Sequence, residues 1–240
     1  MFLKNKKIAK VDDRLKHIAF IMDGIGRWAE KRLMPRFVGH SYGAKAFKRI
    51  VKRCYELGIK TVTTYAFSTE NRSRPKAEID AIIKLLHQYN EEVINDDHIK
   101  LVYIGDKTNL PNDLVKIMNE AEEATKDRDF LVNIAFNYGG RSEIVNACNK
   151  LLSSGKELVT EQDISNSLYT ANVPAPDLII RTAGEYRLSN FLLWQCAYSV
   201  FYFAKVLWPD FDEKQLDIAI KDYYGRKRRL GGVDKDREKK

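Results

Sequence analysis

The sequence predicts an α/β fold: a single domain in which a central, mostly parallel six-stranded sheet is flanked by helices. Short apolar runs alternate with longer amphipathic segments along the 240 residues. The short runs are rich in β-branched and aromatic residues and are apolar on both faces, as in buried parallel strands. Neither a repeat nor a linker rich in Pro, Gly or Ser divides residues 1–240. We therefore expect one domain, with 1–16 and 233–240 as loosely ordered ends.

Six short segments are predicted to be strands. Each is bounded by polar or turn residues and has the length of an ordinary strand. The predicted strands are residues 17–22, 61–67, 101–105, 130–137, 177–182 and 200–203.

The amphipathic segments between them are predicted to be helices. The first places Ala46, Ile50 and Cys54 on one stripe, and Gly58 follows as a stop signal. Pro75 stands just before the second. The predicted helices are residues 42–57, 77–96, 112–127, 141–152 and 212–229. Strands that alternate with helices predict a doubly wound sheet with right-handed crossovers.

The composition restricts the partners and the compartment. A net charge of +8 predicts anionic partners, namely nucleic acid, anionic lipid or phosphorylated small molecules. Part of the excess lies in the basic segment 225–240, which also reads as a solvated end. Cys54, Cys148 and Cys196 form no CxxC pair, which fits a reducing compartment. The basic start lacks the apolar core of a signal peptide, so we expect a cytoplasmic protein.

Polar residues and glycines follow several predicted strands at the point where each strand ends. Asp23 and Gly24 follow the first, residues 68–71 the second, and Arg181 closes the fifth. In open parallel sheets, ligands bind beyond the carboxyl ends of the strands. Ordinary turn residues explain the glycines and serines but not so many arginines. The sequence therefore predicts one binding site along this rim.

Cations predominate at the predicted rim. They are Arg27, Arg36, His40, Arg74, Arg181 and Arg187. Arginine binds phosphate oxygens in a bidentate fork, and Gly24 and Gly26 allow backbone N–H groups to approach an anion at a helix N-terminus. The segment lacks the GxxxxGK[ST] loop and the acid that holds a ribose, which disfavours a nucleotide triphosphatase or a dinucleotide-dependent dehydrogenase. These residues predict a substrate with two or more phosphates.

Asp23 is the one acid directly at the start of this cationic segment. A carboxylate beside bound phosphates repels them unless a metal ion lies between, and Mg²⁺ is commonly held by one carboxylate plus substrate phosphates. The alternative is that Asp23 caps the following helix. The chemistry favours the metal role.

Seven motifs, in the same order, resemble those of cis-prenyltransferases, the family of undecaprenyl diphosphate synthase. They are "HIAFIMDGIGRWA", "PRFVGH", "YAFSTEN", "RP", "NYGGRSEI", "LIIRTAGEYRLSNFLLWQCAYS" and "VLWPDF", and they extend from about His17 to Gly232. The resemblance implies a Mg²⁺-dependent transferase that condenses isopentenyl diphosphate with an allylic diphosphate, farnesyl diphosphate or similar, to a cis-polyprenyl diphosphate. It also implies a homodimer without a nucleic-acid partner, and it is compatible with peripheral membrane contact of a long product.

The resemblance also implies residue roles. Asp23 corresponds to the metal-binding aspartate and, with Ser68 and Asn71, to the catalytic set, in which Asn71 helps to remove the proton. The implied substrate-binding residues are Gly24, Ile25, Gly26, Arg27, Trp28, Arg36, His40, Ser68, Thr69, Glu70, Arg72, Arg74, Arg181, Arg187, Leu188 and Ser189. Among them, Arg74, Arg181, Arg187 and Ser189 correspond to the isopentenyl diphosphate site. Arg229-Leu230-Gly231 resembles an element that reaches across the dimer.

A growing prenyl chain needs a dry apolar tunnel, because each buried CH₂ contributes about 0.8 kcal/mol. The candidates for its wall are Ile82, Leu85, Leu86, Phe130, Leu131, Ile134 and Phe136. Ordinary core packing explains any one of them equally well.

Three residues depart from the family pattern, at or near the expected active site. Ile25 replaces an Asn, Arg72 a Trp and Val200 a Glu that is a second proposed Mg²⁺ ligand. These departures keep an alternative open: an irregular coupling or cyclising prenyl diphosphate synthase with a short branched or cyclic product. A non-catalytic subunit is a third hypothesis, which the retained Asp23, Arg181 and Arg187 disfavour. Nucleic-acid binding is a fourth that rests only on charge.

Overall fold

The computed structural model describes residues 10–226. Its six strands form one sheet in the order β3-β4-β2-β1-β5-β6, and every neighbouring pair is parallel. The strands are β1 (His17–Ile21), β2 (Thr61–Ser68), β3 (Ile99–Ile104), β4 (Phe130–Tyr138), β5 (Leu178–Arg181) and β6 (Val200–Phe203). The predicted α/β class and all six predicted strands are confirmed, with ends shifted by one or two residues.

Seven α-helices surround this sheet in the described part of the chain. They are α1 (Ile25–Glu30), α2 (Arg36–Leu57), α3 (Lys76–Ile94), α4 (Asn112–Thr125), α5 (Gly140–Ser153), α6 (Glu161–Ser167) and α7 (Glu213–Gly225). A short 3-10 helix at Thr69–Ser73, here called the 69–73 turn, follows β2, and another lies at Trp208–Asp210. None of the described helices is long and apolar enough to cross a membrane.

The helix that follows Pro35 corrects one predicted boundary. We expected it to begin at residue 42, but α2 begins at Arg36 and includes His40. Gly39 and Gly43 interrupt the apolar stripe there because they face α1: a Cβ on Gly39 would lie 2.8 Å from the carbonyl oxygen of Ile25. Two of the predicted cations therefore lie on a rigid helix.

The sheet is covered on both faces. Along β1, Ile18 and Phe20 pack into the larger apolar cluster, whereas Ala19 and Ile21 pack into a second one with Phe191 and Leu192. Successive strand residues point to opposite faces, so this division is the signature of a sheet between two layers.

The described residues before β1 make several contacts with the rest of the domain. Leu15 is fully buried, the Val11 amide donates to the carbonyl oxygen of Leu57, and the Lys16 amide donates to the Asp177 carboxylate. Val11, Leu15 and Lys16 thus pack against the rest of the domain. Residues 1–9, 233–240 and the Arg229-Leu230-Gly231 element lie outside the described residues.

Candidate active site

A polar cavity of about 590 Å³ lies at the carboxyl ends of β1, β2 and β5. Its lining contains most of the predicted site residues. They are Asp23, Gly24, Ile25, Gly26, Arg27, Arg36, His40, Ser68, Glu70, Asn71, Arg74, Arg181, Arg187 and Ser189. Five arginines thus face three carboxylates, those of Asp23, Glu70 and Glu78, so the cavity is electropositive and suited to anions.

Asp23 lies in this cavity, where a backbone N–H group and a charged arginine hold its carboxylate. Its Oδ2 accepts from Nη2 of Arg181 at 2.8 Å, and its Oδ1 accepts from the backbone N–H of Gly24 at 2.6 Å. Gly24, not Asp23, occupies the cap position of α1, with φ of 94°. A Cβ on Gly24 would lie 2.7 Å from Cδ2 of Leu207. The structure thus does not place Asp23 in the capping role.

Two carboxylates hold three arginines in place. Arg27 lies 3.5 Å from Oδ1 of Asp23 and 3.1 Å from Oε1 of Glu185, and Arg187 pairs with the same Glu185. Arg181 is only 4% exposed, so its charge depends on Asp23 for compensation. These ion pairs hold the three guanidinium groups at the cavity.

A second cluster gathers around Glu78 in the first turn of α3. The carboxylate of Glu78, 6% exposed, lies 3.0 Å from Nε2 of His40, accepts from Nη1 of Arg74 at 3.0 Å and lies 3.6 Å from Nε of Arg36. Burial raises the pKa of Glu78, but the hydrogen bond with His40 and the charges of Arg74 and Arg36 outweigh it, and that pKa lies below its ordinary value. Burial lowers the pKa of His40.

The 69–73 turn brings Ser68 and Asn71 to the same cavity. The backbone N–H of Ser68 donates to Oδ1 of Asn71 at 3.2 Å, which fixes the Asn71 side chain. Oε1 of Glu70 accepts from Nδ2 of Asn190 at 3.1 Å. These bonds orient the predicted catalytic residues from within the turn and from the segment after β5.

An apolar cavity of about 120 Å³ adjoins the polar one. Met22, Ile25, His40 and Ala66 line both, and we call these four residues the neck. Five of the predicted tunnel residues line the apolar cavity: Ile82, Leu85, Leu86, Ile134 and Phe136. Phe130 and Leu131 lie at the amino end of β4 and do not line this cavity, so their place in a tunnel wall stays a prediction.

Four predicted substrate-binding residues are not brought to the polar cavity. Trp28 is buried and donates from Nε1 to Asp210, Leu188 packs in the second apolar cluster, and Thr69 lies against Gly139. Arg72 donates from Nε to Oδ1 of Asn137 at 2.7 Å, outside the cavity. Each is engaged in contacts that direct its side chain elsewhere.

Of the three departures from the family pattern, Ile25 alone lies in the cavity lining formed by the described residues. Val200 pairs with Leu178 at the amino end of β5, whereas Arg181 at the carboxyl end faces the cavity. Because the strands are parallel, Val200 lies at the opposite end of the sheet. This corrects the expectation that all three departures lie at or near the site.

Some functional candidates were not predicted. Glu78, Tyr65 and Asn190 line the polar cavity, and Glu185 pairs with two of its arginines. Glu185 and Asn190 lie in a predicted motif, "LIIRTAGEYRLSNFLLWQCAYS", and could have been found there. Glu78 carried no such signal, because an acid in the first turn of a helix is ordinary.

The donor set fits a divalent cation bound jointly with substrate phosphates. Among the described residues, no group of three or more His, Cys, Asp or Glu side chains could enclose a metal by itself. Mg²⁺ bound by one protein carboxylate keeps water and phosphate oxygens as its other ligands. Of the three carboxylates that line the cavity, that of Asp23 is the candidate, because it lies beside Gly24, Arg27 and Arg181.

An all-parallel α/β sheet with a cationic cavity and an adjoining apolar one defines a protein that binds an anionic head group and an apolar chain. Residues 21–231 match the protein-family model described as "Putative undecaprenyl diphosphate synthase". The chain belongs to this family, the cis-prenyltransferases, and is thus a prenyltransferase.

Relatives and solved structures agree with this assignment. The isoprenyl transferase of Fusobacterium nucleatum is 51% identical, with 91% of this chain and 96% of that protein covered. That of Thermotoga maritima is 48% identical, with 90% and 97% covered. Lavandulyl diphosphate synthase from Lavandula x intermedia, in complex with dimethylallyl diphosphate, superposes with a TM-score of 0.87 at 35% identity. The match covers 92% of this chain and 100% of that one. A probable undecaprenyl diphosphate synthase from Campylobacter jejuni superposes with a TM-score of 0.76 at 34% identity. The match covers 91% of this chain and 99% of that one.

Proposed function

We propose that the protein condenses isopentenyl diphosphate with an allylic diphosphate, farnesyl diphosphate or similar, to give a cis-polyprenyl diphosphate. One observation carries this proposal: the cationic cavity and the apolar cavity share the four neck residues. A diphosphate in the first cavity would place its prenyl chain in the second. The names of the relatives support the same reaction class.

The arginines supply the main chemical assistance. As the allylic C1–O bond breaks, the departing diphosphate takes the bonding electrons, and negative charge grows on its oxygens. Arg27, Arg36 and His40 lie beside Gly24 and Gly26, where backbone N–H groups and side chains converge. Preorganised donors of this kind stabilise the developing charge, and loss of one such donor commonly costs about 10²-fold or more in rate.

The second substrate would be held by Arg74, Arg181, Arg187 and Ser189, which line the same cavity. Arg181 and Ser189 are already joined, since Nη1 of Arg181 donates to Oγ of Ser189 at 2.8 Å. When the new carbon–carbon bond forms, a proton leaves the isopentenyl unit. We assign to Asn71, whose side chain accepts a hydrogen bond from the Ser68 N–H, the role of helping to remove that proton.

Mg²⁺ is the expected metal, with Asp23 as its protein ligand. When bound, Mg²⁺ neutralises diphosphate charge and so assists its departure. The site residues fit this role because Asp23 presents a charged carboxylate among the phosphate-binding groups.

The direct test is incubation of purified protein with Mg²⁺, farnesyl diphosphate and labelled isopentenyl diphosphate, followed by mass analysis of the extracted product. We expect products that are longer by successive five-carbon units. Absence of extension with any allylic primer would refute the proposal. Activity that appears only after addition of a second protein would instead identify a non-catalytic subunit.

Irregular coupling of two prenyl diphosphates is the second candidate, because apolar Ile25 lines the neck where the two cavities meet. The likeness to lavandulyl diphosphate synthase is a weaker argument for it. Incubation with dimethylallyl diphosphate alone separates the two reactions. A product formed without isopentenyl diphosphate supports irregular coupling.

A cytoplasmic homodimer is proposed as the working form, with peripheral membrane contact for a long product and no role for nucleic acid. Two exposed apolar features support self-association. β6 is an edge strand on which Phe203 packs against the exposed ring of Tyr186, and α5 exposes Val145 and Leu152 one above the other. Analytical ultracentrifugation would give the mass in solution.

A further inference from the structure

The 69–73 turn presents different side chains to two regions. Ser68, Glu70 and Asn71 line the polar cavity, whereas Arg72 extends to the carboxyl ends of β3 and β4. Arg72 therefore does not line the cavity and acts on it through the turn that carries it.

Arg72 makes two contacts there. Its Nε donates to Oδ1 of Asn137 at 2.7 Å, and its Nη2 lies 3.9 Å from Oδ2 of Asp106. The side chain is 46% exposed, so the short hydrogen bond is the stronger of the two contacts and the ion pair is partly screened by solvent.

Asp106 and Asn137, the two residues that Arg72 contacts, are bonded to each other, and we call this pair the Asp106–Asn137 platform. The Asp106 N–H donates to the carbonyl oxygen of Asn137, and Nδ2 of Asn137 donates to the carbonyl oxygen of Asp106 at 2.6 Å. Asn137 has φ of 50°, in the left-handed region that Asn tolerates best among non-glycine residues. A Cβ on Gly105 would overlap the carbonyl oxygen of Phe136, so the two strand ends approach closely.

We propose that Arg72 is a positioning residue that anchors the 69–73 turn to the Asp106–Asn137 platform. On the other side, Glu70 is held by Asn190, which also accepts from the Arg141 N–H. The turn is thus fixed at two points, and Ser68 and Asn71 are placed at the cavity before substrate binds. Substrate then need not supply the free energy to order them. The catalytic half of this inference rests on the proposed prenyl transfer, whereas the anchoring half does not.

Amide hydrogen exchange in the substrate-free protein tests the anchoring. Arg72→Ala removes both contacts, and we expect residues 68–74 to exchange roughly tenfold faster while the strands keep their protection. Arg14→Ala is the matched control, because Arg14 also pairs with a carboxylate, Asp12, but lies before β1, at the other end of the sheet. It should leave exchange at 68–74 unchanged.

Kinetics test the positioning. The diphosphate-binding residues remain in Arg72→Ala, so KM for both substrates should stay within about threefold while kcat falls about tenfold. Arg72→Gln keeps an N–H donor for Asn137, and Arg72→Lys keeps the charge for Asp106; both should recover part of kcat.

Three outcomes would overturn the proposal. Unchanged exchange at 68–74 would refute the anchor, and faster exchange throughout the chain would show a merely structural role. Faster exchange at 68–74 with unchanged kcat would refute positioning. Absence of prenyl transfer by the unaltered protein would count against the proposed function alone, since the exchange result would still decide the anchor.

Discussion

At the scale of single residues, the carboxylate of Asp23 joins Gly24, Arg27 and Arg181 in the cavity and allows a sharp substitution. Asp23→Asn keeps an oxygen for the Gly24 N–H but leaves buried Arg181 without its counter-charge. We expect kcat/KM to fall by about 10²-fold or more and the melting temperature to fall as well. The control is Asp210→Asn, which changes an acid that binds Trp28 outside the cavity. Unaltered turnover in Asp23→Asn would show that the carboxylate has no role in the chemistry.

Glu78 is the second residue-scale test. Glu78→Gln removes the charge that orients Arg36, His40 and Arg74, so the dissociation constant of an allylic diphosphate should rise roughly tenfold or more. Titration calorimetry with a non-reactive allylic diphosphate analogue would measure it. Glu30→Gln is matched to it, because Glu30 binds Arg36 from an exposed position and should have little effect. Equal effects of the two variants would contradict the importance of the buried carboxylate.

The sequence pointed to residues that the structure brings to one cavity where charge or backbone was unusual. Arginines and glycines clustered after a strand are rare enough to identify the cavity, and Asp23 stood out because an acid among phosphate-binding groups needs a reason. Glu78 did not, because its partner His40 lies 38 positions away in the chain. Arg72 was assigned to the substrate from the family resemblance, but the direction of its side chain depends on Asn137, which the sequence cannot place beside it.

At the scale of elements, the contact between α1 and α2 shapes the neck. Ile25 opens α1 and packs against Gly39 and Gly43 of α2, and a Cβ on Gly43 would lie 2.9 Å from Cδ1 of Ile25. The same glycines obscured the start of α2, since a helix that presents glycine to its neighbour shows no apolar stripe. Gly39 and Gly43 thus explain both the close packing of α1 on α2 and the weak apolar periodicity at the start of α2.

Gly43→Ala tests this element contact. Alanine favours a helix over glycine by about 1 kcal/mol, but the added methyl group must displace Ile25, which commonly costs about 1–3 kcal/mol. We expect a net loss of stability in thermal unfolding and altered relative KM values for long and short allylic primers. The double variant Gly43→Ala/Ile25→Val removes the methyl group that clashes and should recover stability. No coupling between the two substitutions would contradict the packing argument.

At the scale of the whole molecule, the sequence predicted parallel strands but not their order. Apolar runs on both faces indicate that a strand is buried, but they do not name its neighbours. The observed order places β1 between β2 and β5, and this adjacency brings Asp23, Ser68 and Arg181 to one cavity. The same limit applies along a strand, because Ile134 and Phe136 in the carboxyl half of β4 line the apolar cavity, whereas Phe130 and Leu131 do not.

The stability of the whole domain should depend on pH through His17, which opens β1 at the centre of the sheet. Burial lowers the pKa of His17 to about 4, against the opposing effects of the Pro174 carbonyl oxygen and the Asp177 charge. The unfolded chain therefore binds a proton more readily than the folded one as pH falls below about 6.5, and stability falls with it until the folded-state pKa is reached. Between pH 7 and pH 5 this amounts to about 2 kcal/mol, and His40, whose pKa is also lowered, adds in the same direction.

Denaturant unfolding at pH 7 and pH 5 measures this dependence. The unaltered protein should lose stability between the two, and His17→Gln should lose much less, although it starts lower because a fitted ring with bonds to Pro174 and Thr63 is gone. His87→Gln on α3 is the control and should keep the full pH dependence. If His17→Gln and the unaltered protein lost equal stability, the buried ring of His17 would not be the group that responds to acid, and the loss would have to arise from other groups, of which His40 is the first to test.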